Sequence, residues 1–284
     1  MKVKFTKRRS RSLRNRLGAY LLAICCFGAA FIAAPSCVAQ QPFVTDDAAV
    51  TEKGKLHFES SNEYDNLQKT LFPTEHQNTA IFKLSYGLVR NVELSVDGPL
   101  ITLVNNPSAS NSRFVIGNGD TNFTVKYNFR HERDKSILPA LTVSASVEIP
   151  TGNAKKSLGS GVFDYGVNLI GQKTLGDKTV WRVNSGMLFA GNTATGVIGI
   201  TTVRGVVFVE GTSIVRKIND RLQLGAEVTG AVTNNFTLSK GQLQVLAGGN
   251  YQLNEKTSLA FGVVRGRFTA SPRFGAMIGL AYDF

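Results

Sequence analysis

Arg273–Phe284, the last twelve residues, read Arg-Phe-Gly-Ala-Met-Ile-Gly-Leu-Ala-Tyr-Asp-Phe. Phe274, Ala276, Ile278, Leu280, Tyr282 and Phe284 alternate with Arg273, Gly275, Met277, Gly279, Ala281 and Asp283. A period of two puts successive side chains on opposite faces of an extended strand. In Gly119–Phe129, Thr121, Phe123, Val125, Tyr127 and Phe129 face one way, and Asp120, Asn122, Thr124, Lys126 and Asn128 the other. The same pattern returns in Leu141–Ile149 and Leu222–Val232.

Working outward, twelve strands are predicted, over 54–65, 77–86, 92–101, 119–129, 139–149, 162–173, 179–190, 203–216, 221–233, 241–252, 257–265 and 273–284. Most have nine to thirteen residues. Globular strands average ~5–6, whereas a tilted strand crossing a bilayer needs ~9–11. The connectors alternate too. Leu88–Asn91, Leu175–Lys178, Lys217–Asp220 and Leu253–Lys256 are tight, with Arg130–Ser136 the longest of that set. Between them stand Asn66–His76, Thr102–Asn118, Pro150–Gly161 and Gly191–Thr202, with shorter joints at Asn234–Lys240 and Gly266–Pro272. Short turns at one end, longer loops at the other and an even strand count define a transmembrane β-barrel. Lipid tolerates no open sheet edge, so the sheet must close. The fold class is therefore all-β, an antiparallel transmembrane barrel of twelve strands with short periplasmic turns and longer extracellular loops. Tyr86, Phe129, Tyr165, Trp181, Phe189, Tyr251, Tyr282 and Phe284 sit near strand ends, as an aromatic girdle requires.

The charge balance points elsewhere until it is divided. The 284 residues carry 32 Lys+Arg against 20 Asp+Glu, which suggests nucleic-acid binding. Eight of the basic residues lie within residues 1–16, and residues 17–39 are uncharged. Without the first 39 residues, 24 basic side chains face 20 acidic ones, and no other basic cluster forms a phosphate footprint. A basic n-region, the apolar run Leu17–Ala34 and Cys37-Val38-Ala39 form a cleavable signal peptide, residues 1–39. Residues 40–53 are expected as a short periplasmic segment and 54–284 as the barrel. All three cysteines (Cys25, Cys26, Cys37) fall in the leader, which removes disulfide, thiolate-metal and Cys-nucleophile chemistry from the mature chain.

The polar parity carries Glu59, Glu63, Glu93, Asp97, Asp120, Glu148, Asp164 and Glu227 against Lys83, Lys126, Arg182, Arg204 and Arg273. Charges at membrane depth must be paired or hydrated, so they should face the lumen. They form either a somewhat acidic permeation path or a network of ion pairs filling a narrow barrel. Five apolar residues share the lumen parity, Ile170, Leu188, Val206, Phe208 and Leu246. They are expected to cluster and to receive hydrophobic solutes, unless they pack against a plug or the register is slipped. His57, His76 and His131 show no metal-ligand spacing, and neither HExxH nor GxSxG occurs. Thr151–Ser157 lacks the glycines of a phosphate loop. No catalytic, cofactor or metal residue is predicted.

Several segments together resemble the MetA-pathway of phenol degradation family of outer-membrane proteins. They are Pro42–Ala48 followed by Gly54–Glu59; Tyr86-Gly87-Leu88 with Asn91–Leu94; Gly117–Thr121; Glu148–Gly152; and Gly159-Ser160-Gly161 running into Asp164-Tyr165-Gly166. The resemblance implies an outer-membrane barrel associated with uptake of aromatic or other hydrophobic compounds. Asp46, Asp47, Asp120 and Asp164 match the family's pattern, with turn-capping and lumen hydrogen bonding favoured as their role over substrate contact.

The expected function is an outer-membrane channel or transporter for small molecules, hydrophobic or aromatic compounds among them, and not an enzyme. A barrel enzyme acting on lipid, through a Ser–His pair, and a structural or adhesive protein are the alternatives. Expected partners are outer-membrane lipid, the barrel-assembly machinery, which would read the terminal Phe284, and small-molecule solutes, with no nucleic acid. N-terminal sequencing of the membrane-inserted protein should begin at Gln40; Met1 retained in an inner-membrane fraction would contradict the leader.

Overall fold

A computed structural model describes residues 41–108, 112–133, 136–189, 206–233 and 241–284. The leader, the joint 191–202, Arg204 and the joint 234–240 lie outside the described residues.

Backbone N–H and C=O groups in hydrocarbon find no water, so every wall strand must be paired on both sides. The ladder meets that demand with strands β1 (Leu56–Asn66), β2 (Thr74–Val89), β3 (Val92–Asn105), β4 (Phe114–Asn118), β5 (Thr121–Arg130), β6 (Ala140–Ile149), β7 (Asp164–Leu175), β8 (Thr179–Phe189), β9 (Val206–Lys217), β10 (Leu222–Thr233), β11 (Gln242–Asn254), β12 (Thr257–Gly266) and β13 (Phe274–Asp283). Each pairs antiparallel with its neighbours, and β1 pairs with β13, from His57 opposite Asp283 to Asn66 opposite Phe274. β4 and β5 share one partner: β4 runs along Leu100–Val104 of β3, and β5 along Val92–Asp97. They are two halves of one wall strand interrupted at Gly119–Asp120, so the wall is a closed twelve-strand barrel.

Burial is inverted relative to a water-soluble fold. On β5, Phe123, Val125, Tyr127 and Phe129 are exposed outward while Lys126 and Asn128 are buried. On β1, His57, Glu59, Ser61 and Asp65 are buried. Lipid faces apolar side chains and the lumen faces polar ones, as the alternation requires. Tyr86, Phe129, Tyr165, Trp181, Phe189, Tyr251 and Phe284 are exposed on the outer face.

Two expectations need correction. The long loop expected at 102–118 is mostly ladder, because β3 continues to Asn105 and β4 returns from Phe114. Ile101 and Leu103 point inward and pack against Leu158 of the β6–β7 connector, so both faces of the strand are apolar there and the alternation disappears. On β9 the expected register is slipped by one. Val207 faces inward and is fully buried, while Phe208, on the same face as Val206, is exposed outward. The run Val206-Val207-Phe208-Val209 offers no polar residue to mark either face.

The short turns hold at one end. Gly176, at φ 64°, supplies the left-handed residue of the β7–β8 turn. In the β5–β6 connector, Glu132 accepts hydrogen bonds from Lys173 and from the Thr174 amide and hydroxyl. Partial burial works against its charge, but those donors hold its carboxyl below the usual range.

The closing seam carries a specific contact. His57 Nδ1 lies 2.6 Å from Asp283 Oδ1 across β1 and β13, and His57 Nε2 lies 3.3 Å from Glu59 Oε1. His57→Ala should lower the temperature at which the barrel loses its heat-modifiable gel shift. The loss, about 1–3 kcal/mol, is that of a buried carboxylate losing its donor; an unchanged transition would show that the seam does not depend on this histidine.

Candidate functional site

Immediately before β1 the chain does not project from the barrel. Gly54 N donates to Gly87 O at 2.7 Å, and Lys53 bridges to Gly87 at the short-turn end. A side chain at Gly87 would collide with the Glu52 carbonyl, which accounts for the glycine in Tyr86-Gly87-Leu88. From there residues 42–51 run inside the lumen as a strap touching most of the wall. The segment expected to be periplasmic is therefore, in its described part, a lumen element, because its backbone and acids find partners there.

Those partners are the lumen charges. Glu93 Oε2 accepts from both Thr51 N and Thr51 Oγ1 at 2.8 Å. Asn128 Nδ2 and Thr142 Oγ1 each donate to Ala48 O at 2.6 Å, and Gln172 Oε1 accepts from Ala48 N at 3.3 Å. Lys126 Nζ, almost fully buried, lies 2.8 Å from Asp46 Oδ1 and 3.2 Å from the Asp47 carbonyl. Arg182 Nη2 lies 3.9 Å from Asp47 Oδ2. Glu227 of β10 takes the amides of Val44, at 3.0 Å, and Thr45. A charged group in a water-poor interior is stabilised only when such partners are complete.

Apolar contacts seat the strap at two points. Phe43, 3 % exposed, packs with Val215, Leu246, Val264 and Met277. Ala48 packs with Ala140 and Ile170. Burying the Phe43 ring contributes roughly 1.5–3 kcal/mol. Ile170 and Leu246 do lie on the lumen face, as expected, but in separate clusters that the strap covers, so the expected single apolar cluster does not form. Leu188 is half-buried on the lumen parity.

The remaining polar residues fall into place around this strap. Glu59, Asp120, Asp164, Arg182 and Glu227 are buried, and Glu63, Asp97 and Glu148 are half-buried on the same parity. A belt follows the register: Glu59 opposite Lys83, Lys83 opposite Asp97, Asp97 opposite Asn122, Asn122 opposite Glu148, and Glu148 opposite Asp164. Lys83 Nζ lies 3.9 Å from Glu59 Oε2. Asp120 accepts from Gly152 N at 2.8 Å and Ser160 N at 2.6 Å, which folds the β6–β7 connector inward and lodges Leu158 against Ile101. Arg273 is exposed just before β13. Both ring nitrogens of His57 face carboxylates, so neither is presented to a serine hydroxyl as a hydrolase would need. Among the described residues no three His, Asp or Glu side chains converge as a metal site.

What sequence reasoning missed was the strap, although one signal pointed to it. Pro42–Ala48 carries a buried-type aromatic and two acids ahead of the first strand, and the lumen parity holds the complementary Lys126 and Arg182.

Three solved structures share the architecture. The COG4313 outer membrane channel from Pseudomonas putida F1 aligns with a TM-score of 0.62 at 14% identity, covering 84% of this chain and 98% of that one. A KdgM porin aligns at 0.52 and 10% identity, covering 80% and 99%. A NanC porin aligns at 0.52 and 10%, covering 81% and 100%. No curated protein matches the chain in sequence. The family model described as "Putative MetA-pathway of phenol degradation" matches residues 66–284, from the end of β1 to the last residue.

The strap contacts yield a direct expectation. Glu227→Gln and Lys126→Met should each speed amide exchange over residues 43–51. Loss of one charge-assisted partner, worth about 1.5–3 kcal/mol, corresponds to at least roughly a tenfold faster exchange. Unchanged protection in both variants would show that the strap is held by other means.

Proposed function

Since the chain belongs to the family described as "Putative MetA-pathway of phenol degradation", we propose that it is an outer-membrane channel for small molecules, hydrophobic or aromatic compounds among them. The observation that carries the reading is the lumen itself. A largely polar lining is built at the cost of burying Glu93, Lys126, Arg182 and Glu227, and the element filling it is a strap of ten residues held by side-chain contacts rather than by the wall ladder. A strap of that kind can leave without opening the sheet, and passage then follows from its displacement. The family description and the fold shared with porins support channel function and an outer-membrane location, and the family's description by phenol degradation motivates the aromatic preference. The occupied lumen favours one second reading, a structural barrel whose strap is permanent.

Reconstituted vesicles separate the two with a phenyl glucoside and a methyl glucoside, which differ in the ring and do not cross lipid unaided. Wild-type protein should admit the phenyl compound faster. Glu227→Gln should raise both rates, by about tenfold for each ~1.4 kcal/mol removed from the closed state. Equal slow swelling for both compounds and both proteins would establish the structural reading.

A further inference from the structure

The described lumen is polar along most of its length, and of its three apolar clusters one holds an aromatic ring. Val215 of β9, Leu246 of β11, Val264 of β12 and Met277 of β13 converge on the Phe43 side chain. The space is cut by three glycines. A Cβ at Gly225 would stand 2.8 Å from Phe43 Cζ, one at Gly248 3.0 Å from Pro42 Cγ, and one at Gly262 3.3 Å from Pro42 Cβ. At Gly225 and Gly248 the neighbouring strand stands closer still, with Ile214 O at 2.6 Å and Phe261 O nearer again, so strand packing as well as the strap excludes a side chain there. The bare wall of β10, β11 and β12 admits one six-membered aromatic ring and its neighbouring proline. Next to it, the carboxylate of Glu227 holds the following two amides of the strap. An aromatic ring is the occupant this recess already holds.

We propose that this recess is a binding site for one aromatic ring of a solute and that Phe43 is its resident competitor, so that solute and strap exclude each other. The proposal rests on the channel reading and names the place in the lumen where an aromatic solute is recognised. Apolar walls bind a ring by removing it from water and offer a sugar nothing in exchange for its hydration. A competitor carried on the same chain acts at an effective concentration of the order of millimolar. A solute therefore loads the recess only when concentrated, and loading it frees the Phe43 end of the strap.

The test uses purified mature protein in micelles, titrated with toluene or with glucose, with amide exchange read over strap and wall peptides. Toluene should accelerate exchange over residues 43–51 saturably while wall strands stay protected, and glucose should change neither. Phe43→Ala should lower the toluene concentration needed for saturable ligand-observed binding by at least about tenfold, as removal of a tethered competitor requires. Val264→Thr, which keeps the volume and the strap but adds a hydroxyl to the recess, should raise the toluene concentration at which the strap responds. The heat-modifiable gel shift reports that each variant is folded. Strap exchange indifferent to toluene in the wild type, or a toluene response unaltered by Val264→Thr, would overturn the proposal. If the strap responds as expected while vesicles admit neither glucoside, the site stands and the channel reading falls; a phenyl preference with an indifferent strap has the opposite meaning.

Discussion

Hydrocarbon supplies no hydrogen bonds, and the rest of this structure follows from that constraint. The backbone must pair with itself in a closed ring, which fixes an antiparallel wall of twelve strands with β1 against β13. Because a strand presents alternate residues to its two faces, an apolar outer surface leaves the inner parity free for polar side chains. That parity carries Glu93, Lys126, Arg182 and Glu227, and a narrow lumen then poses a second problem, since charges away from bulk water need partners.

The strap solves the second problem in the terms set by the first. Its backbone lies outside the ladder, so its amides and carbonyls are available to lumen side chains: Val44 and Thr45 to Glu227, Ala48 to Asn128 and Thr142, Thr51 to Glu93. Its two acids meet two of the inward cations, Lys126 and Arg182. Wall and strap are electrically complementary, and the contacts joining them are separate side-chain interactions spread around the wall. The ladder is cooperative and cannot open piecemeal, whereas the strap is held by separable interactions. The molecule therefore joins a hydrogen-bonded wall to a strap held by side-chain contacts, and in the proposed channel the strap is the part that moves.

The wall was legible in the sequence wherever one face was clearly polar. On β5 and β10, Lys126 and Glu227 mark the inner face beyond doubt, and the strand boundaries agree with the alternation to within a few residues. Legibility failed where the lumen itself is apolar. Ile101 and Leu103 turn inward toward Leu158, and Val207 turns inward on β9, so period-two reading lost the end of β3 and slipped β9 by one. The strap was illegible for a different reason. Its conformation is set by partners up to 183 residues away, as Val44 with Glu227, so the aromatic and the two acids of Pro42–Ala48 mark it for burial without fixing its path. The aspartates at 46, 47 and 120 were readable as hydrogen-bonding residues, but only the three-dimensional arrangement shows that two bind the lumen cations and the third pins a connector.

The central claim is that strap displacement opens the lumen, and tethering tests it most directly. The three cysteines all precede Gln40, so Ala48→Cys with Ala140→Cys, two members of one buried cluster, introduces the sole cysteine pair from Gln40 onward. Single-channel conductance across a planar bilayer, measured on one preparation before and after reduction, is the measurement. The account predicts a silent channel while the disulfide is closed and conductance restored by reductant. Equal conductance in the oxidised and reduced states would contradict it.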